Sequence, residues 1–125
     1  MNCIEKKLPH KYPVRFIKEV EIEEENYAIS LVEFKENPTL PALVEAAAQN
    51  TVFIESLYEK FDGGVLSSMK NVESYTLFQP GIYRVKSNIV SRIDPFVLVG
   101  FEFLSNEGVL AKGEINIVMN PRAKI

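Results

Sequence analysis

Between residues 14 and 24 the second half alternates apolar and charged side chains. Val20 and Ile22 fall on one side and Glu19, Glu21 and Glu23 on the other, the two-residue period of a half-buried strand. Glu25-Asn26 reads as a turn, after which Tyr27, Ile29 and Leu31 carry the apolar phase on to Phe34, so the two segments pair as a hairpin. The period then changes. Leu40 to Phe61 holds good helix formers, no internal glycine, and a single proline, Pro41, in the first turn where its missing N–H is harmless. Thr39 is the expected N-cap and Gly63-Gly64 the expected stop, giving one helix of about 30 Å. Leu43, Ala46, Ala47, Phe53, Ile54, Leu57 and Phe61 form its apolar face. Glu45, Gln49, Val52 and Ser56 make an adjoining line, and the small residues of its first half permit close approach to a sheet.

Beyond Gly64 the pattern is strand after strand: Val65 to Val72, Tyr83 to Ile93, Phe96 to Leu104 and Val109 to Met119. Gln79-Pro80-Gly81, Asp94-Pro95 and Ser105 to Gly108 separate them. Val85, Ser87 and Ile89 alternate with Arg84, Lys86 and Asn88, as in a sheet with one wet face. Two strands, a long helix and four strands predict an α+β protein, a curled antiparallel sheet wrapped around one long central helix, which is the hot-dog architecture. Residues 1–125 form a single domain in this reading.

Composition narrows the function classes. Fourteen basic and seventeen acidic residues leave a net charge of −3, the wrong balance for a chain that must neutralise a row of nucleic-acid phosphates. Residues 1–7 carry no continuous apolar stretch, so neither a signal peptide nor a membrane span is expected and the cytoplasm is the expected location. Cys3 and His10 are the only cysteine and histidine, so no internal disulfide and no His/Cys metal cluster is expected, and no cofactor is implied.

Three stretches resemble the 3-hydroxyacyl-acyl carrier protein dehydratase family. Leu8 to Pro13, LPHKYP, is similar to the L-P-H-R-Y-P that opens many members; Glu45 to Gln49, EAAAQ, to the E-A-x-A-Q of the central helix; Met69 to Gly81, MKNVESYTLFQPG, to I-D-N-A-R-F-x-R-P-V-x-P-G. The resemblance implies removal of a proton beside a thioester carbonyl and delivery of one to the departing hydroxyl. The tools are a helix carboxylate, a histidine in a loop F-x-G-H-F-P-G of the other subunit, and backbone N–H groups at the helix N-terminus. Glu45 matches the carboxylate. The loop differs: Phe34 to Pro41, FKENPTLP, is shorter and holds neither histidine nor glycine, with Asn37 nearest the missing imidazole. An amide donates hydrogen bonds but exchanges no proton at neutral pH.

Glu45 is thus the candidate catalytic carboxylate, its plain alternative being a surface residue paired with Gln49. His10 is the one imidazole available to assist, against a structural role in its own motif. Asn37, Gln49, Met69 and Phe78 are candidate substrate contacts, the last two otherwise packing residues, and Arg84 and Lys86 are candidate contacts for an acidic carrier protein, otherwise a solvated strand face. The expected partner is an acyl thioester on acyl carrier protein or coenzyme A, in fatty-acid or related lipid or polyketide metabolism, and the expected assembly a homodimer joined sheet edge to edge. Two rival functions share these residues: a thioesterase, which needs only the carboxylate, and a non-catalytic acyl-carrier-binding subunit that lacks a complete acid–base pair.

Overall fold

The second strand carries apolar side chains on both faces, one of them fully buried and the other half-buried. In the computed structural model, which describes residues 15–121, β1 (Ile17–Glu23) and β2 (Tyr27–Phe34) form the expected antiparallel hairpin. Ala28, Ser30, Val32 and Phe34 are the buried set, while Tyr27, Ile29 and Leu31, which continue the apolar phase in the sequence, lie half-buried on the opposite face. β1 departs from the expected alternation as well. A register shift between Val20 and Ile22 places Val20 opposite buried Ser30 but Ile22 opposite Ile29 on the outer face. A bulge inserts one residue into the pleat and so reverses every side chain beyond it.

α1 (Leu40–Thr51) starts as expected, with Thr39 extended and its Oγ1 accepting from the Ala42 N–H at 3.3 Å. It does not run to Phe61. Twelve residues span about 18 Å. The tighter bonds Phe53 N–H to Asn50 O and Ile54 N–H to Thr51 O, both 3.1 Å, then unwind it, and Ile54 is extended. Three β-branched residues among Thr51, Val52, Phe53 and Ile54 resist continued helix, and the break lets both Phe53 and Ile54 turn fully into the core. A single turn, α2 (Glu55–Tyr58), follows. Its first amides, those of Glu55 and Ser56, donate to the carbonyls of Glu24 and Glu25 in the β1–β2 turn at 2.9 and 3.1 Å. Arg92 steadies the same segment, donating to the Ser56 carbonyl at 3.2 Å with its guanidinium 5.6 Å from the Phe61 ring centre.

β3 (Phe61–Ser74) therefore begins four residues before the expected strand, and Gly63 and Gly64 lie within it instead of stopping a helix. Gly64 is needed there: a Cβ would stand 2.6 Å from Ile117 Cγ2 on the neighbouring strand. β4 (Gly81–Ile93), β5 (Phe96–Ser105) and β6 (Gly108–Pro121) form the expected meander. The antiparallel sheet has the order β1-β2-β4-β5-β6-β3, with β1 and β3 as its edges.

α1 packs into the inner face of this sheet. Leu43, Val44, Ala46 and Ala47 meet a core that includes Val32, Phe34, Val85, Phe101, Phe103 and Ile115, each large member contributing about 1.5–3 kcal/mol by leaving water. Polar groups fix the helix in this apolar seat. Asn50 donates to the Ala28 carbonyl at 2.9 Å and to Ser87 Oγ at 3.1 Å, and accepts from Ser30 Oγ at 2.6 Å. Ser87 Oγ in turn donates to the Ala47 carbonyl at 3.1 Å, a contact that the small residues of the helix make possible. No helix of the described residues is long and apolar enough to cross a membrane.

Candidate functional site

Glu45 sits on the second turn of α1, half-buried, and the residues around it fix its orientation. Gln49, one turn later, is only 2% exposed. The backbone N–H of Phe16, just before β1, donates to Gln49 Oε1 at 2.8 Å, so the amide nitrogen must point the other way, and it donates to Glu45 Oε2 at 3.3 Å. Backbone, amide and carboxylate form one line. Gln49 thus holds Glu45, and being buried it is a support for the carboxylate more than an open contact for substrate.

At the start of α1 the supply of amides is smaller than a bare helix end offers. Pro41 has no N–H, the Ala42 N–H goes to Thr39 Oγ1, and the Leu43 N–H bonds the Thr39 carbonyl at 3.1 Å. Leu40 is the remaining first-turn donor, beside the positive end of the helix dipole.

Two clefts flank this end of the helix. One, of about 910 Å³, is bounded by β1, the end of β2 and the loop to α1, with Lys18, Glu33, Lys35 and Thr39 in its wall; it reaches Ala42, one turn before Glu45. Glu33 lies between two cations, 3.5 Å from Lys18 Nζ and 3.7 Å from Lys35 Nζ. The other, of about 550 Å³, lies between Leu40 and Leu43 of α1 and the 74–79 loop. Asn37 and Pro38 border both. Volumes of this order suit a small molecule.

The remaining candidates scatter. Phe78 lies against the second cleft but is buried, its ring 5.0 Å from Tyr83 and 5.7 Å from Phe103. Met69 is 50% exposed on β3, away from both clefts. Arg84 and Lys86 alternate with buried Val85 and Ser87 and so face the outer side of the sheet, opposite α1. Arg84 is engaged there by a two-pronged pair with Glu21 at 2.6 and 3.1 Å, which holds the Glu21 carboxyl below its ordinary range, and Lys86 Nζ stands 5.0 Å over the Tyr27 ring. The structure thus pairs Glu45 with Gln49 on α1, sets Asn37 in the wall of both clefts at the helix start, neither of which Glu45 itself lines, and does not add Arg84 and Lys86. His10 and the Leu8–Pro13 motif lie outside the described residues, as does Cys3. Among the described residues no group of three or more acidic, histidine or cysteine side chains is placed to hold a metal. Sequence reasoning missed Lys18 and Lys35 at the cleft wall, because charges on a strand end and a loop look like any solvated surface.

No family model and no curated protein matches the sequence. Solved structures do. The dehydratase heterocomplex ApeI:P from Xenorhabdus doucetiae is similar with a TM-score of 0.81 at 15% identity, over 98% of this chain and 93% of that one. A hypothetical thioesterase protein with coenzyme A from Streptococcus pneumoniae TIGR4 is similar at 0.67 and 12% identity, over 85% and 88% of the two chains. The protein smu.793 from Streptococcus mutans UA159, bound to acetyl CoA, is similar at 0.70 and 12% identity, over 92% and 99%. With one antiparallel sheet curled around a helix, and neighbours of the same architecture over nearly the whole chain, the protein has the hot-dog fold.

Proposed function

We propose that this protein handles acyl thioesters at the start of α1, as a dehydratase-like protein in which Glu45 is the proton-transferring carboxylate. The observation that carries the reading is the hydrogen-bonded line from Phe16 through Gln49 to Glu45, which holds a carboxylate one turn from a cleft. Positioned groups of this kind are what proton transfer at carbon requires. In the forward direction Glu45 takes the proton beside the thioester carbonyl and the electron pair moves into an enolate. Its oxygen faces the Leu40 amide and the helix dipole. The enolate then expels the hydroxyl, which leaves as water after accepting a proton from His10 or from the newly protonated Glu45. The similarity to a dehydratase complex and to proteins holding coenzyme A or acetyl CoA supports this substrate class, on coenzyme A or on a carrier protein. The working unit in this proposal is a homodimer joined through β3, with the site completed at the junction.

A second reading, hydrolysis, is favoured by one fact: the loop Phe34 to Pro41 that leads into α1 holds no histidine, and a carboxylate that activates water needs none. Incubation of the purified protein with 3-hydroxyacyl, enoyl and saturated acyl thioesters separates the two, enoyl product marking dehydration and free thiol from the saturated substrate marking hydrolysis. Glu45→Gln is expected to lower turnover by at least about 100-fold with the fold intact. Unchanged turnover removes Glu45 from the chemistry. Binding without turnover of any thioester leaves the non-catalytic carrier-binding role.

A further inference from the structure

The two clefts at the helix start differ in chemistry in a way that assigns a direction. The wall of the first carries three cations, Arg15, Lys18 and Lys35, against two carboxylates, Glu33 and Glu36, a net charge of +1 in a chain whose net charge is −3. The second has no charged side chain at all; Leu40, Leu43, Tyr75, Leu77 and Phe78 supply its apolar surface, and Leu77 is 88% exposed at its lip. Asn37 and Pro38 belong to both walls, next to the Thr39 cap of α1. A site with an electropositive half, an apolar half and a helix start between them matches a long ligand with an anion at one end and a hydrocarbon chain at the other.

Resting on the thioester reading above, we infer that the substrate lies across Asn37–Pro38 with the phosphate ester of its pantetheine arm among Lys18, Lys35 and Arg15 and its acyl chain between Leu40 and Leu77. This places the thioester at the start of α1 and moves recognition of the carrier's charge from Arg84 and Lys86, whose outer face is already engaged by Glu21 and Tyr27, to the β1 and β2–α1 side. The two lysines share Glu33, so an incoming phosphate competes with one carboxylate for two cations. Half of this pairing is enough to keep Glu33 neutralised while the other lysine turns to the ligand.

Titration calorimetry on the full chain tests the direction with three probes: decanoyl coenzyme A, decanoyl pantetheine lacking phosphate, and a decanoyl-loaded carrier protein. The Lys18→Glu/Lys35→Glu variant is expected to weaken the phosphate-bearing probes by about tenfold or more at low salt, with the loss shrinking as salt rises, and to leave decanoyl pantetheine within about twofold. Both lysines are more than half exposed, so the fold is expected to survive, which circular dichroism checks, and Lys35→Arg is expected to retain binding. Leu77→Ser is expected to weaken decanoyl pantetheine while leaving acetyl pantetheine unchanged. A loss with both phosphate-bearing probes supports the anion-binding cleft; a loss with only one of them assigns the lysines to the carrier's acidic surface or to the nucleotide and overturns the placement of the shared phosphate ester, as does no effect with either or an equal loss for the neutral probe. If wild type binds no thioester, the function proposed above fails and inorganic pyrophosphate becomes the probe. Salt-sensitive pyrophosphate binding that the double variant abolishes keeps the anion cleft, and its absence overturns that too.

Discussion

Asn50 uses both ends of its amide inside the core, on partners that are themselves buried. Asn50→Ala would leave the Ser30 hydroxyl without its acceptor and take a donor from the Ala28 carbonyl and from Ser87 Oγ, which keeps only its bond to Ala47, so a loss of about 2–4 kcal/mol in urea unfolding is expected; a loss below about 1 kcal/mol would show that the network does not anchor the helix. The polar run Gln49-Asn50-Thr51 within an apolar stretch was the visible signal for such an anchor. Its meaning was not visible, because the partners come from β2 and β4, twenty and thirty-seven positions away. The Glu45–Gln49 pair, by contrast, follows directly from four-residue spacing on a helix and was legible. What spacing leaves out is the Phe16 amide that orients the pair, a contact across thirty-three positions.

At the scale of elements, the Glu21–Arg84 pair arches from β1 over β2 to β4 and so ties an edge strand to the interior of the sheet. Arg84 lowers the folded-state carboxyl of Glu21 relative to the unfolded chain, first through the hydrogen bond and then through charge. A depressed carboxyl stabilises the fold above its unfolded pKa, and that contribution disappears as pH falls through the lower, folded value. The difference in melting temperature between wild type and Arg84→Gln is therefore expected at pH 7 and expected to vanish on acidification below the ordinary carboxylate range. Both groups are partly exposed, so it corresponds to at most about 1 kcal/mol and shrinks with salt. A difference that persists in strong acid would assign the effect of Arg84 to packing. Turns and strand periods gave the two hairpins of this region away, whereas the β1 bulge and the end of α1 did not show. A bulge leaves composition unchanged, and the apolar spacing of Phe53, Ile54, Leu57 and Phe61 continues a helical rhythm through a segment whose bulk forces it open.

For the whole molecule the two sheet edges are unlike. Both carry register shifts, but β1 is short and dense with glutamates, features that discourage further pairing, while β3 runs fourteen residues with Val65 60% and Met69 50% exposed and Leu66 beside them. In the proposed homodimer β3 is the joining edge. Leu66→Lys/Met69→Glu is expected to convert a dimer into a monomer in light scattering after gel filtration, and a wild-type chain that is monomeric at micromolar concentration would sink the shared-site picture. The architecture itself was readable, since six apolar segments and one helical interval leave few ways to close a core. Residues left over by the shortened helix have a destination. By turning back at Thr51, the chain reaches the sheet rim early enough to lay down roughly 45 Å of strand there, so an interior rod cut to little more than half its expected length becomes the reason the protein has so long a seam to offer.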